Sequence, residues 1–79
     1  MKEYVELTET EIKLGFAASC VERLAQRLGC TYAEAFARIK RAHLLEEYII
    51  PCYDALHTQS WEYVTDALID ALTIRESRK

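Results

Sequence analysis

Cys52 and His57, with His43 a little upstream, are the groups from which a thiol nucleophile with its base, or a zinc site, would be assembled. Neither arrangement has the spacing its chemistry needs. A zinc site wants about four ligands in close pairs, and among the three cysteines and two histidines no two stand at a two-residue gap. Small buried thiols and hydrogen-bonded histidines account for these residues, so no metal is expected. Glu62, Asp66 and Asp70 recur at i, i+4 and i+8, which on a helix makes one acidic ridge. No basic or apolar neighbour separates their pKa values, so the ridge reads as a solvated face or a surface for a basic partner rather than an acid–base pair. Arg38, Lys40 and Arg41 are the candidates for phosphate contact, although Glu46 and Glu47 follow closely. The two glycines, Gly15 and Gly29, follow no strand pattern, so no phosphate-cradling loop is present. Catalysis, a cofactor and a small-molecule substrate are therefore not expected.

Length and composition limit what can position these groups. Seventy-nine residues allow one domain, and six Ile, nine Leu, three Val and two Phe, about a quarter of the chain, are enough for it to fold. A domain of this size buries only roughly 60% of its unfolded surface, which leaves a thin stability margin and makes a partner or self-association worth seeking. Cys20, Cys30 and Cys52 are odd in number and unpaired in spacing, so reduced thiols are expected. Residues 1–11 carry four glutamates and no apolar signal core, and no window is apolar enough to span a bilayer. A cytoplasmic location away from membranes is the expectation. The net charge of −3 repels phosphate backbones over the molecule as a whole.

The pattern predicts an all-α fold of four helical elements spanning residues 1–79, with residues 1–7 and 76–79 frayed. Thr8 and Glu11 have capping-box spacing and open a first helix that runs to Leu28, where Gly29 supplies a left-handed stop. Its apolar arc holds Leu14, Ala17, Ala18, Cys20, Val21, Leu24, Ala25 and Leu28. Ile12 and Phe16 fall on the other side and need cover from a second element or subunit. Thr31 and Glu34 repeat the capping box and start a second helix at Tyr32, whose stripe is Tyr32, Ala35, Phe36, Ile39, Ala42 and His43, with Glu34 and Arg38 at i, i+4. Pro51 predicts a helical turn, a break or kink at Ile50, and then a second short helical piece through about Leu56. Ser60 can cap a last helix over 61–74, with Trp61, Val64, Leu68, Ala71 and Leu72 buried.

Leu24 to Ile39 is similar in outline to a DNA-reading helix-turn-helix, with Gly29 in the turn. The apolar phase of the second helix falls on Phe36 and Ile39, one residue later than that motif requires. A nucleic-acid regulator using Arg38, Lys40 and Arg41 is accordingly the alternative to a helical-hairpin packing role. The middle string Tyr48, Ile49, Ile50, Pro51, Cys52 and Tyr53 carries more apolar and aromatic bulk than one amphipathic face hides. It either threads the core or faces another chain.

The stretch EYIIPCYDALHTQSWEYV, Glu47 to Val64, and the earlier FAASCVERLA, Phe16 to Ala25, resemble a bacterial family known as domain of unknown function 3791. The resemblance spans nearly the whole chain, and TDALIDALTI in the last helix is the mild departure, being less acidic at its start. The resemblance implies a small helical protein. Its usual gene neighbourhood, beside a family related to ADP-ribosyltransferases, implies an accessory or antitoxin-like partner role. Tyr48, Pro51, Tyr53, His57, Thr58, Gln59 and Ser60 match the signature and are candidates for turn architecture or partner contact. The expected function is a protein-interaction module, either self-associating or bound to a protein encoded nearby.

Overall fold

The computed structural model describes residues 8–78, so the expectations for residues 1–7 and for Lys79 lie outside the described residues. The described chain is all-α, with five helices: α1 Glu9–Leu28, α2 Tyr32–Arg41, a π-helix Leu45–Ile49, α3 Tyr53–Leu56 and α4 Trp61–Glu76. Both capping boxes form as the sequence predicts. Thr8 and Thr31 each accept a bond from the glutamate amide three residues on, and each glutamate carboxylate accepts one from the cap residue's own amide. Gly29 closes α1 in the left-handed region at φ 70°, which its missing side chain permits without strain.

One core holds the elements together. Cys20, Val21 and Leu24 of α1, Ala35 and Ile39 of α2, and Val64, Leu68 and Leu72 of α4 meet Leu44 and Ile49 from the middle segment, all shielded from water. Thr65, not predicted in the core, is also buried there; its hydroxyl donates to the Trp61 carbonyl at 2.7 Å, so it enters with its polar atom satisfied. Burial pushes the Cys20 thiol up to about 12, because a thiolate would be stranded among aliphatic side chains.

The middle segment divides as the sequence predicts, into a turn of helix that ends at Ile49 and a second short piece, Tyr53–Leu56, with the helical assignment interrupted over residues 50–52. This makes five helices where four elements were expected, and the expected bias of Ile50 away from the α region does not hold. Ile50 keeps helical torsions at φ −70° and ψ −47°, and its amide donates to the Leu45 carbonyl across five residues. Proline clashes with the carbonyl four residues back in a regular α-helix. Here the turn before Pro51 is already widened to π geometry, and the Cys52 amide resumes the ladder by donating to Tyr48 at 3.0 Å. A further break, not predicted, is at His43, which takes φ 58° and is the only non-glycine with positive φ among the described residues. It ends α2 and redirects the chain so that Leu44 enters the core. At the other end, the last helix runs to Glu76, past the predicted end at Ile74. Glu76, expected in a frayed tail, instead pairs with Arg38.

Candidate functional site

Three surfaces gather the residues with chemical or binding potential. The first lies between α1 and α2. Leu14 and Ala18, predicted in the core arc, face outward instead, and Tyr32 at the head of α2 does the same. Leu14 is 46% exposed and Tyr32 47%. Between them Ala17, Val21, Phe36 and Leu45 floor an apolar depression of about 140 Å³. The phase of the α1 arc was read correctly, but this half of it has no cover from the elements of the described residues. Tyr32 stacks on Phe36 with ring centroids 6.2 Å apart, and the Lys40 ammonium sits 5.7 Å from the Phe36 centroid. Lys40, predicted for phosphate contact, therefore lies over an aromatic face beside this groove.

The second surface is the far side of α1, where Phe16 finds the cover that its position demanded. Its ring meets Tyr53 edge-on at 5.3 Å and stacks on Trp61 at 5.4 Å. Arg23 lies 5.1 Å over the Trp61 ring. His57 stacks on Tyr53 at 4.4 Å and its Nδ1 bonds the Tyr53 carbonyl at 2.8 Å. Ile12 is still 42% exposed at the upper edge of this face. The structure thus gives much of the middle signature an architectural task. Tyr48 is half-buried, with its phenol held above the usual range by desolvation. Tyr53 packs on Phe16, Thr58 donates to the Ala55 carbonyl, and Ser60 caps α4 by accepting from the Tyr63 amide at 3.1 Å. Pro51 and Gln59 are exposed.

The third surface was not foreseen as a unit. Arg38 and Arg41 from the end of α2 meet Arg75 and Arg78 from the end of α4, with His43 at the same edge. Arg38 does not use Glu34, its predicted i, i+4 partner, which is engaged in capping Thr31. Its Nε and Nη2 donate to the two carboxylate oxygens of Glu76 at 2.9 and 2.7 Å. That fork raises the arginine's pKa and leaves it as a pinned cation rather than a free phosphate ligand. Arg75 donates through Nη1 to the Ala42 carbonyl at 3.0 Å and to Glu47 at 2.5 Å, so it caps the end of α2 from another helix. His43 Nδ1 lies 2.8 Å from Glu46, and this bond is the main cause holding the Glu46 carboxyl below its usual range. No local pattern could have shown this cluster, because the π-helix, α3 and most of α4 lie between its halves, and Arg38 and Glu76 are 38 residues apart.

On the acidic ridge, Glu62, Asp66 and Asp70 are all exposed, and Asp66 is bridged to Arg27 of α1 at 2.6 Å. Among the described residues no three His, Cys, Asp or Glu side chains gather as metal ligands, and no helix is long and apolar enough to cross a membrane. The family model described as "Protein of unknown function (DUF3791)" matches residues 15–75, and the chain belongs to that family. No curated protein and no solved structure matches the chain.

Proposed function

We propose that this DUF3791 protein is a cytoplasmic protein-interaction module that receives apolar side chains of a partner helix in the groove between α1 and α2. The observation that carries this reading is the pair Leu14 and Tyr32, each nearly half exposed on either side of an apolar floor. Large aliphatic and aromatic groups on a stable surface favour removal from water, at roughly 25 cal/mol per Å². At about 140 Å³ the depression is well below the roughly 300–1,000 Å³ of small-molecule sites, and it suits one or two anchoring side chains. A helix is the natural occupant because an amphipathic helix presents one or two large apolar side chains from one face, which is what a shallow depression lined by α1 and α2 side chains can take.

The experiment is affinity capture with two baits, the wild-type chain and Leu14→Glu. Leu14 makes no part of the buried core, so the variant keeps its fold, which circular dichroism checks. The gene neighbourhood implied by the family resemblance makes an ADP-ribosyltransferase-like protein the first partner to offer, with a second copy of the chain beside it. Retention of that protein by wild type and its loss with Leu14→Glu supports the reading. Equal retention by both baits, or retention by neither, overturns it.

A further inference from the structure

We propose that the occupant of the groove between α1 and α2 is a second copy of this chain, paired about a twofold axis that runs along the groove. The inference rests on the reading of that groove as a docking surface, and it names the partner: the second copy's α1 is the helix received. Gly15 has no role inside the described fold. A glycine in a helix interior weakens the helix relative to alanine, yet Gly15 lies within α1, is exposed, and a Cβ added to it would meet nothing within 4 Å. It stands next to Leu14 and one turn before Ala18, both exposed, so the α1 side of the groove carries a notch of small residues. On α2, Ala33 is exposed and Ala37 half-buried at the flank of Phe36, so that side is low as well. Two low surfaces allow two backbones to approach closely.

The face is complementary to itself. It carries projecting groups, Leu14 and Tyr32, and beside them a recess of about 140 Å³ with no charged residue in its lining. The charges next to the recess have opposite signs on its two sides. At 100° per residue Glu22 falls on the outer flank of Ala18, exposed and without an ion pair among the described residues. Lys40 on α2 is exposed 5.7 Å from the Phe36 centroid, also without a carboxylate partner among the described residues. The other carboxylates nearby are engaged: Glu11 accepts from the Thr8 amide at the start of α1, where the helix dipole offsets it, and Glu46 is turned to His43 at 2.8 Å. A twofold axis along the groove lays the α1 side of each copy on the α2 side of the other. Glu22 of one copy then comes to the side that holds Lys40 of the other, twice over by symmetry. An axis across the groove would set the two acidic α1 sides together, which like charges oppose. The patch is small, as in transient complexes that bury less than roughly 1,200 Å². The pairing is therefore weak, and in dilute solution the groove is open to another helix.

The test is sedimentation equilibrium of the full chain from about 1 µM to about 1 mM, a span that covers weak association. The wild-type chain should pass from monomer to dimer within it, and Leu14→Glu should stay monomeric. Gly15→Gln, a good helix former placed in open space, should melt higher than wild type as a dilute monomer yet dimerise about tenfold more weakly. Lys40→Glu and Glu22→Lys should each weaken the dimer about tenfold at low salt, because each change acts twice. The double variant Glu22→Lys/Lys40→Glu should return it to within about threefold of wild type, a recovery that a merely structural role would not give. A wild-type chain that is monomeric over the whole span overturns the proposal. So does a dimer that Gly15→Gln and Lys40→Glu leave unchanged, or a charge swap that recovers nothing. A monomeric wild type whose capture of another protein is still lost with Leu14→Glu would remove the second copy as occupant and leave the groove reading standing, so the two failures are distinguishable.

Discussion

Where the backbone reverses at the end of α2 can be tested by substitution at His43. The residue sits at φ 58° with an exposed ring, so changes there act on the backbone more than on packing. For a residue with a Cβ the left-handed conformation costs roughly 1–2 kcal/mol. His43→Gly removes that cost and adds roughly 0.5–1 kcal/mol of chain entropy to the unfolded state. The lost bond to Glu46 is water-exposed on both sides and contributes little. The variant should therefore range from neutral to about 1 kcal/mol more stable. His43→Val places a β-branched side chain where it is a true outlier and should lose about 1–2 kcal/mol. The two variants should differ by about 2 kcal/mol, on the order of 10 °C in melting midpoint for a domain this small. Pro51→Ala is the control, because the π turn already accommodates the missing donor, and it should fall within about 0.5 kcal/mol of wild type. Thermal melts followed by circular dichroism read all three. Valine and glycine variants that melt together, with Pro51→Ala more stable by about 3 kcal/mol, the usual cost of a helix-breaking proline, would refute the assignment of the break to His43.

Other residues give sharper local readings. Arg38→Ala should destabilise by about 1 kcal/mol, since its fork to Glu76 ties α2 to α4 but is about one-third exposed and screened; the loss should shrink in a denaturant melt at high salt. Native thiol labelling should modify Cys30 and Cys52 well before Cys20, whose thiol is fully buried and pushed up to about 12, with Cys20 reacting only on unfolding. Carboxyl NMR should show Glu46 titrating below the ordinary glutamate range, and His43→Ala, which removes the largest cause, should raise it toward that range. Because the folded-state pKa is the depressed one, the stabilisation from this pair is present above the unfolded pKa and fades as pH falls through the folded value.

The helices that announce themselves chemically were legible in the sequence. Thr8 with Glu11 and Thr31 with Glu34 are local signals, complete within four residues, and Gly29 completes the hairpin they frame. Phe16 was legible as a residue in need of cover, though nothing local named Tyr53 and Trp61 as the cover. Leu14 and Ala18 show the limit of periodicity, since an apolar arc reveals which side of a helix avoids water but not whether its own chain supplies the shield. Proline's bias on Ile50 was outweighed by a widened turn and by Ile49 anchored in the core. The arginine cluster was invisible for another reason. Arg38 and Glu76 lie 38 residues apart, and only the packing of α2 and α4 in one core makes them neighbours.

The groove between α1 and α2 is tested most directly by amide hydrogen–deuterium exchange on the chain alone and on the chain with its captured partner. The account predicts added protection in peptides covering residues 12–22 and 32–45, which border Leu14, Tyr32, Phe36 and Leu45. It predicts no added protection along the exposed ridge of Glu62 and Asp70. Protection confined to residues 53–70, with the α1 and α2 peptides unchanged, would contradict it.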